Sequence, residues 1–304
     1  MLKVLITKTD ATIPRVEKLI NKHTNIEFIV DNITEENIKD VNIVLAWWLD
    51  KNVLAKANAL ETIFVPITGT NAFPEKEIYE RKIELINTHA KAKYIAERGF
   101  SLLLTSMGKV SKTDNIFKTQ SKWANRSYPE LWTSLFDKKV GFYGFGHIGK
   151  IMASFFSPFN CEICTLSRQK ERGGADKYFD TLSEMAEYCD IIMVSAPLNE
   201  DTLGSVNLDI LKKLGGHIVN VGRGSIIDEE ALYLALKENH IVGAASDVWY
   251  IYPTSNENLN PSKYPFETLD NIVMSPHTAW STHEEPDALI DDIFDKLDKF
   301  LETK

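Results

Sequence analysis

A chain of 304 residues, 44% hydrophobic and 25% charged, has a globular composition and exceeds the usual size of one domain, so two domains are expected. A formal net charge of -9 and a pI near 5.4 repel polyphosphate and anionic lipid, and with no basic run of useful length the chain is expected to bind neither nucleic acid nor membrane. No apolar stretch approaches membrane-spanning length, the start MLKVLITKTD carries no leader pattern, and three cysteines are too few for a disulfide framework, so a cytoplasmic location is expected.

Short apolar, β-branched runs at Val4 to Thr7, Ile26 to Val30, Ile43 to Trp47 and Ile63 to Val65 alternate with helical patterns, the signature of parallel βαβ units. A helix start is marked by Thr12 as cap and Pro14 in the first turn of PRVEKLINKH. The segment Ala92 to Met107 predicts one long helix, with Ile95, Gly99, Leu102, Leu103 and Ser106 on a face poor in charge. The stretch SKTDNIFKTQSKWANRSYPELW that follows has no clean period and predicts an arm or an interdomain crossing. A second alternating series then runs through Val140 to Tyr143, Glu162 to Leu166, Ile191 to Ser195, Ile218 to Val221, Gly243 to Ser246 and Ile272 to Met274. Cys161 and Cys164 form a CxxC, but in the strand-like CEICTL residues three apart face opposite ways, and no second pair completes a metal site. The last segment, DALIDDIFDKLDKFLETK, predicts a helix that returns to the first domain.

The fold class expected is α/β with two doubly wound parallel-sheet domains. The first, flavodoxin-like and carrying the substrate, takes residues 1–90 plus 280–304; the second, a Rossmann cofactor domain, takes 91–279. The chain crosses twice between them, which makes a hinge and a closing cleft natural expectations.

The strand-like Lys139-Val140-Gly141-Phe142-Tyr143 runs directly into Gly144-Phe145-Gly146-His147-Ile148-Gly149 at the start of an apolar helix, which is GxGxxG in the context it requires. The first glycine permits the tight turn, the second lets backbone approach a pyrophosphate, and the third lets helix and strand pack closely. The phosphates would rest on the helix N-terminus, where unpaired amides and the helix dipole favour an anion. A glycine turn with a purely structural role is the alternative. At the end of the next strand, where an acidic residue would hold the ribose hydroxyls of NAD, the sequence reads Leu166-Ser167-Arg168. Arg168, with Lys170 and Arg172 nearby, suits a 2′-phosphate, so NADP is the expected cofactor with NAD possible; a solvated basic turn is the other reading.

Five motifs in one order then carry a resemblance: VGFYGFGHIG beginning at Val140, SAPLNEDTLGSVN at Ser195, NVGRGSIIDEEAL at Asn220, GAASDVW at Gly243 and NIVMSPHTAWST at Asn271. The chain resembles the D-isomer-specific 2-hydroxyacid dehydrogenases, which include glyoxylate and hydroxypyruvate reductases and, more distantly, formate dehydrogenase. The likeness is strong over the cofactor half. Over the first 90 or so residues it is architectural, apart from the Gly69-Thr70-Asn71 turn and the Ala96-Glu97 pair.

The resemblance implies a reaction, hydride transfer between NADP(H) and a small 2-oxo or 2-hydroxy acid, and it implies roles. Arg223 would bind the substrate carboxylate and polarise the carbonyl, a task that suits a rigid two-pronged donor. His277 would exchange the proton with the substrate oxygen, since imidazole titrates near neutrality. Gly144, Gly146, His147, Ile148, Ser167, Arg168, Ala196, Pro197, Val221, Gly222 and Asp247 would line the cofactor. Backbone amides near Thr68, Gly69 and Thr70 would hold the substrate carboxylate from the first domain, with Trp47 or Trp48 as a pocket wall. A homodimer is the expected assembly.

The sequence departs from the family at one place. Most members carry a glutamate five residues after the aspartate of the DV motif, paired with the histidine; counting from Asp247, that position here is Tyr252. A tyrosine hydroxyl can orient the imidazole but adds no negative charge to raise its pKa. At the end of the long helix, where the formate enzymes carry Arg-Asn, this chain has Gly108-Lys109, with Lys109 either facing substrate or capping a solvated helix end. Two other functions stay open: a dinucleotide-sensing, corepressor-like binding protein, and oxidation of formate or a phosphorus oxyacid.

Overall fold

The computed structural model describes residues 1–70, 72–120, 131–167, 173–253 and 259–304. The chain divides into two compact units, Met1–Lys91 with His283–Lys304, and Ala92–Thr282.

The first unit is built on a five-stranded, all-parallel sheet in the order β2-β1-β3-β4-β5. Its strands are β1 (Lys3–Ile6), β2 (Glu27–Val30), β3 (Ile43–Leu45), β4 (Thr62–Val65) and β5 (Glu84–Asn87). The three inner strands are buried throughout or nearly so, as a parallel sheet covered on both faces requires. Helix α1 (Ile13–Lys22) starts after Thr12 with a proline in its first turn, but the Thr12 hydroxyl does not cap it. That hydroxyl donates instead to the carbonyls of Thr7 and Thr9, tying down the loop after β1. Helices α2 (Lys51–Lys56) and α3 (Glu75–Glu80) cover one face. The C-terminal helix α10 (Ala288–Leu301) lays Ile290, Ile293, Phe294, Leu297 and Leu301 against Val4, Ile6 and Phe64 on the other. Ion pairs from Arg15 to Asp287 and Asp291 and from Lys22 to Asp298, with a hydrogen bond between the His23 ring and Asp298, fix its register on α1.

The second unit carries seven parallel strands in the order β12-β11-β10-β9-β6-β7-β8. They are β6 (Lys139–Tyr143), β7 (Glu162–Leu166), β8 (Lys177–Phe179), β9 (Ile191–Val194), β10 (His217–Asn220), β11 (Gly243–Ser246) and β12 (Ile272–Met274). The long helix α4 (Ala92–Met107) and α6 (His147–Ser154) pack on one face; α7 (Leu182–Tyr188), α8 (Leu208–Leu214) and α9 (Glu229–Lys237) pack on the other. Cys161 packs with the first group and Cys164 lies in the second. Strand order reverses at β6, whose neighbours β7 and β9 lead away in opposite directions, so the carboxyl ends of β6 and β9 flank the crevice where open α/β sheets take ligands.

Two expectations change here. The stretch read as an irregular arm begins with a helix, α5 (Val110–Gln120), and this helix has no buried residue, which is why its sequence carries no apolar period. Strands β5 and β8 were not expected, since one opens on glutamate and the other is three residues long and half-buried.

Candidate active site

Among the described residues, most candidate residues of the second unit follow the carboxyl ends of strands. Gly144 follows β6, Ser167 follows β7, Ser195 to Pro197 follow β9, Val221 to Arg223 follow β10, Asp247 follows β11, and Ser275 to His277 follow β12. Parallel pairing in register places these ends along one edge.

The glycine turn fits a dinucleotide pyrophosphate. Gly144 has φ +106, and a Cβ there would stand 2.3 Å from the Ala196 amide nitrogen, so β6 and β9 approach as closely as backbones can. At Gly149 an added Cβ would meet the Gly144 carbonyl at 2.3 Å, which presses α6 onto the turn. Gly146 caps α6 with no side chain over the first-turn amides, leaving the positive end of the helix open to an anion. His147 and Ile148 open that helix, and the Ser195 hydroxyl donates to the Gly144 carbonyl at 2.8 Å, fastening the two loops together.

At the end of β7, Arg168, Lys170 and Arg172 lie outside the described residues. The Ser167 hydroxyl donates to the Asp180 carboxylate at 2.8 Å. A carboxylate therefore does stand beside the ribose end, brought from the end of β8, thirteen residues further along the chain. The local reading of Leu166-Ser167-Arg168 had no means to find it.

Arg223 is set by its own turn. The buried Asn220 side chain accepts from the Gly222 amide at 3.0 Å and donates to the Arg223 carbonyl at 2.9 Å, spanning the turn from inside. The Arg223 guanidinium donates to the Gly222 carbonyl at 2.8 Å. Next to it, Gly224 lies so close to Trp249 that a Cβ would stand 2.1 Å from the Trp249 carbonyl oxygen. The Trp249 indole in turn donates to the Ser275 carbonyl at 2.9 Å. The loops after β10, β11 and β12 are thereby joined.

His277 sits on a backbone of φ +57, a left-handed conformation uncommon for a residue with a side chain. Asp247, 2% exposed, holds that bend: one carboxylate oxygen accepts from the Ser275 hydroxyl and from the Thr278 amide at 3.1 Å, the other from the Ala279 amide at 3.0 Å. The Trp280 indole donates to the His277 carbonyl at 3.1 Å. Tyr252 meets the ring edge-on, its hydroxyl 3.3 Å from Nδ1, and the same hydroxyl accepts the Trp249 amide at 3.2 Å. No side-chain hydrogen bond to Nε2 is seen among the described residues, and the Asp247 backbone bonds to the ring. Burial holds the His277 pKa below its ordinary range; the Asp247 charge opposes this and the Arg223 guanidinium adds to it, so all three groups share one electrostatic neighbourhood.

Two further placements bear on the sequence reading. Lys109 lines a cavity of about 420 Å³ with His217, Gly243 and Ile272, the first residues of β10, β11 and β12. That is the amino edge of the sheet, opposite Arg223 and His277, so Lys109 does not face their site: α4 runs antiparallel to the strands and delivers its end to the far side. In the first unit, Thr68, Gly69 and Thr70 follow β4, with the Thr68 hydroxyl on the Thr88 carbonyl and the Thr68 carbonyl on Asn87; Asn71 lies outside the described residues. Trp47 is half-buried against the α10 core and Trp48 is 64% exposed, and both line a cavity of about 350 Å³ with Thr7, Ile33 and Val53.

Comparison with known proteins agrees with this geometry. Residues 100–279 match the family described as D-isomer specific 2-hydroxyacid dehydrogenase, NAD binding domain. The chain is 29% identical to glyoxylate reductase of Pyrococcus furiosus over 94% of its own length and 82% of that protein. It is 34% identical to chloroplastic/mitochondrial formate dehydrogenase of Arabidopsis thaliana, over 48% of this chain and 38% of that one. The structure of an NADPH-dependent glyoxylate/hydroxypyruvate reductase from Sinorhizobium meliloti, in complex with NADP and malonate, superimposes with a TM-score of 0.77 at 26% identity, over 99% of this chain and 94% of that one. A match over more than half of the sequence, on the residues that form the glycine turn and the Arg223 and His277 loops, makes this chain a member of the D-isomer specific 2-hydroxyacid dehydrogenase family.

Proposed function

We propose that the protein reduces a small 2-oxo acid to the 2-hydroxy acid with NADPH as preferred carrier, NADH serving less well. The observation that carries this reading is the single neighbourhood of Arg223 and His277 at the carboxyl edge that also carries the glycine turn. When bound, the nicotinamide supplies the hydride. Arg223 offers two parallel N–H donors to a carboxylate and an adjacent carbonyl, a pattern an ammonium cannot copy. His277 supplies the proton from Nε2 as negative charge grows on the carbonyl oxygen. Asp247 holds the backbone bend that carries His277, Tyr252 meets the imidazole, and Asn220 holds the turn that carries Arg223. Gly144, Gly146, Ala196, Pro197, Val221 and Gly222 would hold the carrier through their backbone.

The test is a panel of glyoxylate, hydroxypyruvate and longer 2-oxo acids with NADPH and NADH, with formate and phosphite run oxidatively. Turnover of a 2-oxo acid that is lost in Arg223→Ala supports the reading. Turnover of formate alone would replace it with the second reading, which is favoured by a tyrosine hydroxyl, and no carboxylate among the described residues, standing at Nδ1 of His277. Tight carrier binding with no turnover of any kind would favour a dinucleotide-sensing protein.

For assembly we propose a homodimer formed through α5 together with Leu131 and Trp132. α5 has no buried residue, and Val110, Phe117, Leu131 and Trp132 are all more than half exposed. Sedimentation of Phe117→Glu against the unaltered protein tests this. A cytoplasmic location is proposed from the three unpaired cysteines. No helix among the described residues is long and apolar enough to cross a membrane.

A further inference from the structure

We propose that Tyr252 sets the tautomer of His277: neutral His277 carries its proton on Nε2, with Nδ1 an acceptor, the reverse of what a carboxylate at the same place imposes. The functional meaning rests on His277 being the proton carrier proposed above, but the tautomer itself requires no substrate.

The assignment follows from counting donors. The backbone amide of Trp249, a residue 5% exposed, donates to the Tyr252 hydroxyl oxygen at 3.2 Å. A buried amide needs an acceptor, so one lone pair of that oxygen is committed. The same oxygen lies 3.3 Å from Nδ1. Two arrangements are then available to the neutral ring. In one, the phenol O–H donates to Nδ1 and the imidazole proton sits on Nε2. In the other, Nδ1–H donates to the second lone pair and the phenol proton turns away. The first is favoured on two grounds. A hydroxyl that already accepts one hydrogen bond is polarised into a better donor and a poorer second acceptor. The second arrangement also crowds two N–H donors onto one phenolic oxygen and gives up the O–H bond to the ring. An ionised glutamate has only acceptors, so it would force Nδ1–H and leave a lone pair on Nε2.

Among the described residues the Tyr252 hydroxyl is the group within hydrogen-bond distance of Nδ1, while the Asp247 backbone also bonds to the ring and favours its protonated form. The Asp247 carboxylate is taken up by Ser275, Thr278 and Ala279, and the Arg223 guanidinium has donors only. The left-handed backbone of His277, pinned on both sides by Asp247 and by Trp280, fixes which ring nitrogen meets Tyr252. Tyr252 is thus a positioning residue. In the reductive direction the imidazolium has a proton on both nitrogens and gives up the one on Nε2, whatever the neutral tautomer. In the oxidative direction the substrate hydroxyl must pass its proton to a lone pair on Nε2, which the resting neutral ring does not present; the ring must first shift its proton to Nδ1. Tyr252 therefore lowers the fraction of neutral enzyme competent as a base.

The experiment is long-range 1H–15N correlation on protein labelled at histidine nitrogens, recorded well above the His277 titration, with the His277 signals assigned by their loss in His277→Gln. In the unaltered protein Nε2 should show the protonated-type shift and Nδ1 the unprotonated type. Tyr252→Glu should exchange the two, and Tyr252→Phe should move both toward the averaged values of free imidazole. Tyr252 is 46% exposed, so neither variant disturbs a core. A protonated Nδ1 in the unaltered protein, or one pattern shared by all three proteins, overturns the proposal. An enzyme inactive on every 2-oxo acid would sink the function proposed above and leave this measurement able to decide.

Discussion

Replacing Asn220 by alanine should cost both stability and catalysis while sparing the dinucleotide. The side chain makes two hydrogen bonds inside a turn of three residues, and removing it leaves the Gly222 amide and the Arg223 carbonyl without that partner. Each orphaned buried group costs about 1–3 kcal/mol, so a loss of about 2–4 kcal/mol is expected after some relaxation. For a unit of this size that corresponds to a melting point roughly 5–15 °C lower. The guanidinium is then aimed by its own bond to the Gly222 carbonyl alone, and a displacement of about 1 Å is enough to lower turnover on the order of 100-fold. Asn220→Asp is the sharper probe. It keeps the acceptor for Gly222 but sets a carboxylate against the Arg223 carbonyl, so it should be worse than alanine. The assay is steady-state kinetics on the best 2-oxo acid, thermal melts, and NADPH titration by fluorescence quenching. In an Arg223→Ala background the further kinetic loss from Asn220→Ala should nearly vanish, because the asparagine acts through the arginine. A melting point within about 1 °C and a kcat within threefold of the unaltered protein would refute the reasoning.

Arg223→Lys should lose most of its kcat/KM with NADPH affinity kept, and activity within about threefold would remove Arg223 from the substrate contact. Tyr252→Glu adds an anion beside His277, whose pKa is held down chiefly by burial, so the reductive profile should fall off at higher pH than in the unaltered protein; an unchanged profile would show that the two rings are apart in solution. The carrier preference should shift toward NADPH in Asp180→Asn and away from it in Arg168→Ala, since one removes a negative and the other a positive charge; equal NADPH and NADH affinities in all three proteins would assign this corner no part in the choice. His217 is 3% exposed, and burial, with the charges of Lys109 and Lys138, lowers its pKa to about 4. The unfolded chain takes up this proton near pH 6.5 and the folded one only near 4, so the contribution is present above 6.5 and lost as pH falls to 4, roughly 3 kcal/mol at most. Urea unfolding of His217→Gln should show a shallower loss across that window, and an identical slope would disprove the linkage.

The glycine turn and the Arg223 and His277 loops stand out in the sequence because each sits beside a buried strand in a motif of fixed spacing. Tyr252 was legible by counting from Asp247, although its second partner, the Trp249 amide, was not. What stayed hidden depends on the third dimension. Asp180 meets Ser167 only because β8 adds to β7, and β8 is too short and too polar to announce itself. Asn220 reads as the end of a strand, yet its side chain organises the turn that follows. Asp247 is expected at the cofactor, and the hydrogen bonds of its carboxylate go to the loop that bends at His277. The two readings of Lys109, facing substrate or capping a solvated helix end, are not separable from sequence because it gives no direction to a helix relative to a sheet.

The return of α10 to the first unit has a consequence for biogenesis. Residues 92–282 are continuous and hold a complete sheet, so they can fold as soon as they leave the ribosome, whereas β1 and β4 lack the cover of Ile293, Phe294 and Leu297 until the α10 segment has been made. During that interval the nascent chain shows one bare apolar flank of its earliest strands, the kind of surface on which chaperones act and misassembly begins. A chain cut just before α10 should therefore keep a folded carrier-binding unit on a sticky, partly folded leader, and aggregate more readily than the whole chain.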